Sequence, residues 1–194
     1  PNLAGKGRNG YSVVLPEAAK RFHVLTASEN CNASRRTPQD MGRGKECAFT
    51  VNAGPFNMKT GECSGFVVSN NVTRHALLGG GGVQFGATDA GEWVIGHLSK
   101  ESTAKEMGIV ELVTGFGWLV FNGSNVVPST GGEQAPRTAV GLTKEGAFLM
   151  LEVDGCEKCP HGKGPTLHSL ADIMLSLGAH HAMNMDGGGS STFL

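Results

Sequence analysis

The stretch at residues 184–193 contains the densest group of side chains that could carry out chemistry. Its sequence, Asn-Met-Asp-Gly-Gly-Gly-Ser-Ser-Thr-Phe, places one carboxylate, three successive glycines and three hydroxyls next to one another. Glycines adopt backbone angles closed to other residues, so their N–H groups can form an anion-binding concavity. The glycines are Gly187, Gly188 and Gly189. Ser190 would add a hydroxyl donor, and Asp186 an acid or a base. The alternative is a turn in which Asp186 only accepts hydrogen bonds from backbone N–H groups.

A helix and a short strand must position this stretch. Apolar residues recur at helical spacing before it, and their spacing predicts a helix near residues 166–177. Pro165 and Thr166 begin the pattern and Gly178 ends it, as expected for helix termini. The apolar residues are Leu167, Leu170, Ala171, Met174 and Leu177. The order along the chain is therefore helix, short strand, glycine loop and strand.

Two earlier strands end or begin at charged residues. Arg137 and Thr138 open a strand of small residues, and an apolar strand at residues 148–153 runs into Asp154. A buried arginine needs an anionic partner, whereas a solvated arginine at a strand end is the commoner case. Arg137 and Asp154 are therefore candidates for a charged site.

An amide follows another apolar segment. Residues 47–51 are expected to form a strand that runs into Asn52, which is followed by Gly54 and Pro55. An Asn at the end of a buried strand lies where ligands often bind, although an ordinary turn Asn has the same sequence context. Asn52 is therefore a weaker candidate for substrate binding.

The composition predicts a single α+β domain over residues 1–194. The chain has 194 residues, 39% of them hydrophobic, and 30 glycines, which suits one core of many short strands with few helices. Expected strand segments include residues 11–15, 22–25, 65–69, 92–97, 109–113 and 117–121, in a mixed or antiparallel sheet.

The charge and hydropathy argue against two classes of partner. The formal net charge of −1 gives no electrostatic case for nucleic acid or for an acidic membrane surface. No apolar run approaches the roughly 18–20 residues of a spanning helix, and no signal-peptide pattern opens the chain at Pro1. We expect a soluble segment, and its missing Met indicates a mature or excised fragment.

Sequons and cysteines point to the secretory pathway. Three N-x-[ST] sequons occur, at Asn32, Asn71 and Asn122, beside turn-forming residues. The chain has five cysteines, so at least one thiol is free or pairs outside it. Cys156 and Cys159 are interpreted as a small disulfide loop, because a zinc site would need a second ligand pair. The Golgi, a lysosome-related compartment and the extracellular space are the expected locations.

These positions together resemble the phosphodiester glycosidase family. The resemblance covers residues 47–193. It rests on Asn52-Ala-Gly-Pro-Phe, Gly61-Glu-Cys-Ser-Gly65, Gln84-Phe-Gly86, Arg137-Thr-Ala139, Asp154-Gly155 and Asn184-Met-Asp-Gly-Gly-Gly-Ser190. The resemblance implies a hydrolase that acts on a sugar-1-phosphodiester. The products would be a free sugar, such as N-acetylglucosamine, and a phosphomonoester.

The chemistry that the resemblance implies suggests roles for individual residues. Arg137 would clamp the phosphate, with Asp186 the first and Asp154 the second choice for the carboxylate near the sugar. Asn52, Asn184, Thr138 and the stretch from Gly187 to Ser190 would bind substrate. Family positions imply a Cys31–Cys63 disulfide and leave Cys47 unpaired. Because the family domain continues beyond its glycine motif, the partner of Cys47 would lie in a missing C-terminal segment or a second chain.

Two other functions remain open. The first is a secreted glycan- or phosphate-binding domain that keeps the fold without turnover. The joint presence of Arg137, Asp154 and Asp186 favours the enzyme, because paired carboxylates would repel an anion that is only bound. The second makes both aspartates ligands of a divalent cation, but no EF-hand spacing supports it. We therefore expect neither a metal ion nor another cofactor.

Overall fold

The strands of the described residues form two antiparallel β-sheets. The structure is a computed structural model and describes residues 9–29, 31, 35–76, 82–130, 132–159 and 162–194. In chain order the strands are β1 (Gly10–Leu15), β2 (Phe66–Ser69), β3 (Val72–Ala76), β4 (Gln84–Thr88), β5 (Trp93–Gly96), β6 (Ile109–Thr114), β7 (Trp118–Phe121), β8 (Ser124–Asn125), β9 (Arg137–Thr143), β10 (Phe148–Val153) and β11 (Ala179–Asn184). The helices are α1 (Pro38–Gly42), α2 (Glu101–Glu106) and α3 (Leu167–Ser176), with 3₁₀ turns at Ala19–Arg21 and Gly188–Ser190. The predicted α+β class is confirmed, with two sheets where the sequence predicts one.

The chain divides into two compact units, and each contains one sheet. The first unit contains Gly117–Phe193 and the described residues up to Glu17, with strand order β1-β10-β9-β11-β7-β8. The second unit contains Ala18–Phe116 and Leu194, with strand order β3-β2-β6-β4-β5. The assignment of residues 1–194 to a single domain stays a prediction.

The helix α3 forms where the apolar spacing predicts it. The Thr166 hydroxyl accepts a hydrogen bond from the Ser169 N–H at 3.2 Å, and Gly178 follows the helix with φ of 92°. Leu170 and Met174 are fully buried in the core of the first unit. Burying one such side chain contributes about 1.5–3 kcal/mol, so α3 stabilises the sheet beneath it. Among the described residues no helix has both the length and the apolar character needed to cross a membrane.

Three segments predicted as strands form no regular strand, namely residues 22–25, residues 47–51 and residues 191–194, which follow the glycine stretch. In the first, the Val24 N–H donates to Glu111 Oε2 at 2.9 Å, and the Phe22 ring contacts Trp93 with centroids 5.5 Å apart. A side-chain carboxylate therefore accepts the hydrogen bond that a neighbouring strand would have accepted. Apolar sequence predicts burial here, but it does not specify strand pairing.

Both expected disulfides are present. The Cα atoms of Cys31 and Cys63 lie 5.5 Å apart, as do those of Cys156 and Cys159, within the usual range for a disulfide. The Cys63 N–H also donates to the Cys31 carbonyl at 2.9 Å, so the first bridge is reinforced by the main chain. Cys47 is a free, exposed thiol.

Two of the three sequons lie in exposed hairpin turns. Asn70 and Asn71 join β2 to β3 with φ of 51° and 60°. Asn122 and Gly123 join β7 to β8 with φ of 49° and 72°. Left-handed angles at both central residues are typical of two-residue hairpin turns, in which Asn and Gly are preferred. Asn32 lies outside the described residues, and glycosylation at all three positions stays a prediction.

Candidate active site

Several sequence-predicted residues lie at one end of the sheet of the first unit. The strand β9 begins at Arg137, and β10 ends at Val153, which is paired with Arg137. The strand β11 ends at Asn184, which is paired with Ala139. Asp154 follows Val153 directly, and the glycine loop, defined as residues 186–190, follows Asn184 after one residue. Antiparallel pairing thus brings together segments that are far apart in the sequence.

The glycine loop is fastened to the start of β9 by main-chain hydrogen bonds. The Met185 N–H donates to the Thr138 carbonyl at 2.9 Å, and the Gly188 N–H donates to the Pro136 carbonyl at 2.9 Å. Between these two bonds the chain passes Arg137 before it enters the 3₁₀ turn at Gly188–Ser190. Thr138 itself is fully buried.

Arg137 packs directly against the glycine loop. A Cβ atom built on Gly187 would lie 3.0 Å from the Pro136 carbonyl oxygen, 3.4 Å from Arg137 Cδ and 3.5 Å from Arg137 Nη1. Glycine at this position therefore lets the guanidinium approach the main chain. Arg137 Nη2 donates to the Glu133 carbonyl at 3.1 Å, while Nε is buried without a hydrogen-bond partner among the described residues. Within the same residues Arg137 forms no salt bridge.

Asn184 contributes a buried acceptor on the same face. It is 7% exposed, and its Oδ1 has no hydrogen-bond partner among the described residues. Because Asn184 is paired with Ala139, and Arg137 stands two residues earlier on β9, both side chains project from one face of the sheet. An unsatisfied buried polar group costs about 1–3 kcal/mol, so an acceptor and a donor left unpaired at one sheet end indicate a place for a polar ligand.

Asp186 stands at the entrance of the loop. Its Oδ1 accepts a hydrogen bond from the Gly187 N–H at 3.0 Å, and the residue is half-buried. This is the bond that the turn interpretation predicts, and it also fixes the carboxylate beside the glycines. The geometry therefore suits both the capping and the catalytic interpretation of Asp186.

Asp154 is exposed and begins a loop that reaches the same end of the sheet. The Asp154 N–H donates to the Asn9 carbonyl at 2.9 Å. A Cβ built on Gly155 would lie 2.6 Å from Pro136 N, so this loop packs closely on the residue whose carbonyl accepts the Gly188 hydrogen bond. Asp154 and the glycine loop thus border the same turn of chain.

Sequence reasoning missed two carboxylates here. Glu157 lies between the paired cysteines Cys156 and Cys159, and its carboxylate occupies the position that a side chain on Gly188 would take. Gly188 has φ of 59°, which also favours glycine. The available signal was an acidic residue inside a short disulfide loop.

Glu152 is the second missed carboxylate. It is 4% exposed, stands one residue before the end of β10 and is paired with Thr138 and Tyr11 on its two neighbouring strands. Burial, followed by the negative charge of Asp154, raises the pKa of Glu152 to about 7. The sequence feature that could have identified Glu152 is a charged residue within the apolar run Phe-Leu-Met-Leu-Glu-Val. Glu152 is therefore a carboxyl group that carries a proton close to neutral pH.

The raised pKa of Glu152 predicts a pH-dependent stability. Its folded pKa lies above the unfolded value of 4.5, so its contribution to stability falls as the pH rises from about 4.5 through 7. Replacing Glu152 with Gln keeps the size and removes the ionisation. We expect the difference in melting temperature, Glu152→Gln minus wild type, to be a few degrees larger at about pH 8 than at about pH 5. An exposed control, Glu145→Gln, should follow wild type, and identical pH profiles of Glu152→Gln and wild type would contradict the prediction.

Asn52 belongs to the second unit. It is buried, at 7% exposure, and Gly54 beyond it packs so closely on Thr114 that a Cβ would lie 3.0 Å from the Thr114 carbonyl carbon. The substrate role of Asn52 stays a prediction. Within the described residues no group of three His, Cys, Asp or Glu side chains is placed to hold a metal ion.

The fold and the site define an α+β protein with an arginine-flanked glycine loop among carboxylates. The profile of the phosphodiester glycosidase family matches residues 45–194, and the chain belongs to that family. The predicted resemblance is thereby confirmed.

The bovine and human proteins that this chain resembles have the same enzyme name. The chain is 32% identical over 213 residues to the Bos taurus N-acetylglucosamine-1-phosphodiester alpha-N-acetylglucosaminidase. This match covers 99% of this chain and 40% of the bovine protein. It is 32% identical over 206 residues to the Homo sapiens protein of that name, covering 95% of this chain and 39% of the relative. The chain thus spans about two fifths of the length of these relatives.

A solved structure is similar over nearly the whole chain. It is the zebrafish N-acetylglucosamine-1-phosphodiester alpha-N-acetylglucosaminidase catalytic domain, auto-inhibited by its pro-peptide. The TM-score is 0.75 at 25% identity, and the match covers 95% of this chain and 62% of the zebrafish chain.

Proposed function

We propose that this chain hydrolyses a sugar-1-phosphodiester, releasing the sugar and leaving a phosphomonoester. The observation that carries the proposal is the placement of Arg137 against Gly187, without an acidic partner among the described residues. The guanidinium offers planar donors and positive charge to a phosphate. The Gly187 and Gly188 N–H groups already donate to Asp186 Oδ1 and to the Pro136 carbonyl, so the proposed phosphate contact rests on Arg137. The names of the bovine and human relatives support N-acetylglucosamine as the sugar.

In the proposed reaction the bond between the anomeric carbon and the phosphate oxygen breaks. Its electron pair stays on the phosphate oxygen, and a water oxygen forms the new bond to the anomeric carbon. The departing phosphomonoester is weakly basic, with a second pKa of about 6, so it leaves without strong acid assistance. Arg137 and the Ser190 hydroxyl would stabilise the charge that grows on this phosphate.

Asp186 is the proposed carboxylate for the sugar side of the reaction. It would accept the proton of the attacking water or stabilise positive charge on the ring, the two tasks of carboxylates in glycoside hydrolysis. Asp154 is the second candidate, because it borders the same turn at Pro136. The Glu152 carboxyl has a pKa of about 7, so near neutral pH it is partly protonated and places less than a full negative charge beside Asp154.

The remaining predicted residues would hold the substrate. Asn184 would use its unpaired Oδ1 to accept a hydrogen bond from a sugar hydroxyl, and Ser190 would donate its hydroxyl to the phosphate. The roles of Thr138 and Asn52 are proposed from the family resemblance. The two disulfides support a secretory location, where such bonds persist.

The test is incubation with the methyl diester of N-acetylglucosamine 1-phosphate in ¹⁸O-labelled water. We expect free N-acetylglucosamine and unlabelled methyl phosphate, because the water oxygen goes to the sugar carbon. Label in the methyl phosphate would mean cleavage at phosphorus and would reject the glycosidase mechanism. Saturable binding of the diester without any product would support a binding domain. Heat-denatured protein is the control.

A further inference from the structure

The Cys156–Cys159 loop holds a negative charge against the glycine loop. The Glu157 carboxylate occupies the space that a side chain on Gly188 would fill. Yet Glu157 makes no salt bridge with Arg137 or with any other described residue. The carboxylate therefore leaves the Arg137 charge unneutralised. Instead it adds a negative charge to the rim of an anion site.

The loop that carries Glu157 is pinned at its base. Cys156 and Lys163 exchange main-chain hydrogen bonds of 2.8 and 2.9 Å, and the Gly162 N–H donates to the Cys159 carbonyl at 2.9 Å. The disulfide closes this loop over two intervening residues. A Cβ on Gly162 would lie 2.9 Å from the Gln134 carbonyl oxygen, so the segment that follows the disulfide loop packs on the chain that leads into β9. The main chain that carries Glu157 is thus held in place by several independent contacts.

A carboxylate beside a phosphate site discriminates by ligand charge. A phosphodiester carries one negative charge, whereas a phosphomonoester carries about 1.5 to 2 near neutral pH. Repulsion from the same carboxylate is therefore larger for the monoester. Charges about 5–7 Å apart near a protein surface interact strongly enough to change an affinity by about tenfold after screening.

We propose that Glu157, held against Gly188 by the Cys156–Cys159 loop, selects monoanionic phosphodiesters over dianionic phosphomonoesters at the glycine loop. The inference rests on the proposed function, because it assumes that phosphate binds beside Arg137. It adds a specificity determinant that expels the phosphomonoester product. Arg137 attracts both ligands, and Glu157 sets the difference between them.

The experiment measures dissociation constants of dimethyl phosphate and methyl phosphate by NMR titration, at about pH 8, where the monoester is close to a dianion. Neither ligand contains a sugar, so binding is read without turnover. For Glu157→Gln we expect methyl phosphate to bind about tenfold more tightly and dimethyl phosphate to change by less than about threefold. Glu145→Gln removes an equal charge at the far end of the β9–β10 hairpin and should leave both constants unchanged.

A second variant tests the loop itself. Replacing Cys156 and Cys159 with Ser together opens the disulfide but keeps Glu157, and we expect the preference for the diester to fall. An unchanged preference in this double variant would overturn the role of the disulfide.

Three outcomes overturn the selection by Glu157. Equal tightening of both ligands in Glu157→Gln would mean that the carboxylate only blocks the site, and no change in either would mean that it does not sense the ligand. If neither ligand binds the wild-type protein, the anion site is wrong and the proposed function fails with it. The first two results leave the proposed function standing.

Discussion

Replacing Asp186 with Asn is expected to lower kcat for the sugar phosphodiester by about 10²-fold or more, the usual scale for a positioned acid–base group. The substitution keeps the size of the side chain and an oxygen that can accept the Gly187 N–H bond of 3.0 Å. It deletes the charge and most of the basicity. The fold should therefore survive while the chemistry fails.

The measurement compares kcat with the melting temperature of the same variant. If Asp186 only caps the loop, Asn should serve nearly as well, because both residues accept hydrogen bonds from backbone N–H groups. Wild-type turnover in Asp186→Asn, with unchanged stability, would transfer the carboxylate role to Asp154. In that case Asp154→Asn is the matched variant, and it should show the loss of turnover that is expected here for Asp186→Asn.

Replacing Arg137 with Lys is expected to lower kcat/KM by about 10²-fold, the lower end of the scale for losing one preorganised donor at a developing anion. An ammonium is a point charge and cannot reproduce the planar fork of a guanidinium toward two phosphate oxygens. The positive charge is retained, so the loss reports geometry. Activity equal to wild type would remove Arg137 from the mechanism.

Arg74 in the second unit offers a matched control. Its Nη1 donates to the Glu29 carbonyl at 3.1 Å, and its Nε is also buried without a partner among the described residues. Arg74→Lys therefore removes the same kind of local contact, but at a site that is not part of the glycine loop. We expect Arg74→Lys to keep kcat/KM near wild type. A loss equal to that of Arg137→Lys would indicate a general effect on folding.

Short-range patterns in the sequence determined a large part of this protein. The helix at Leu167–Ser176 follows from apolar spacing between a capping Thr166 and a terminating Gly178, all within one local segment. The α+β class, the Cys156–Cys159 loop and the prominence of the glycine stretch also depend on residues close in sequence or on composition. The family resemblance added the Cys31–Cys63 pairing, which residue spacing alone leaves open.

The tertiary structure decided which of these pieces meet. Pro136 accepts a hydrogen bond from Gly188, and Arg137 packs on Gly187, only because β9 is paired with β11 across about 45 residues of chain. Tertiary contacts within the second unit likewise left residues 22–25 without a strand partner, because a Glu111 oxygen accepts the Val24 main-chain hydrogen bond.

Glu152 and Glu157 show the limit of sequence reasoning most clearly. The raised pKa of Glu152 comes from burial and from the Asp154 charge, which depend on how neighbouring strands pack. Nothing in the sequence distinguishes Glu157 from other acidic residues, and only the folded loop places its carboxylate against Gly188. Sequence spacing specifies local conformation, whereas solvent exclusion and contacts between charged groups arise only when distant segments pack together.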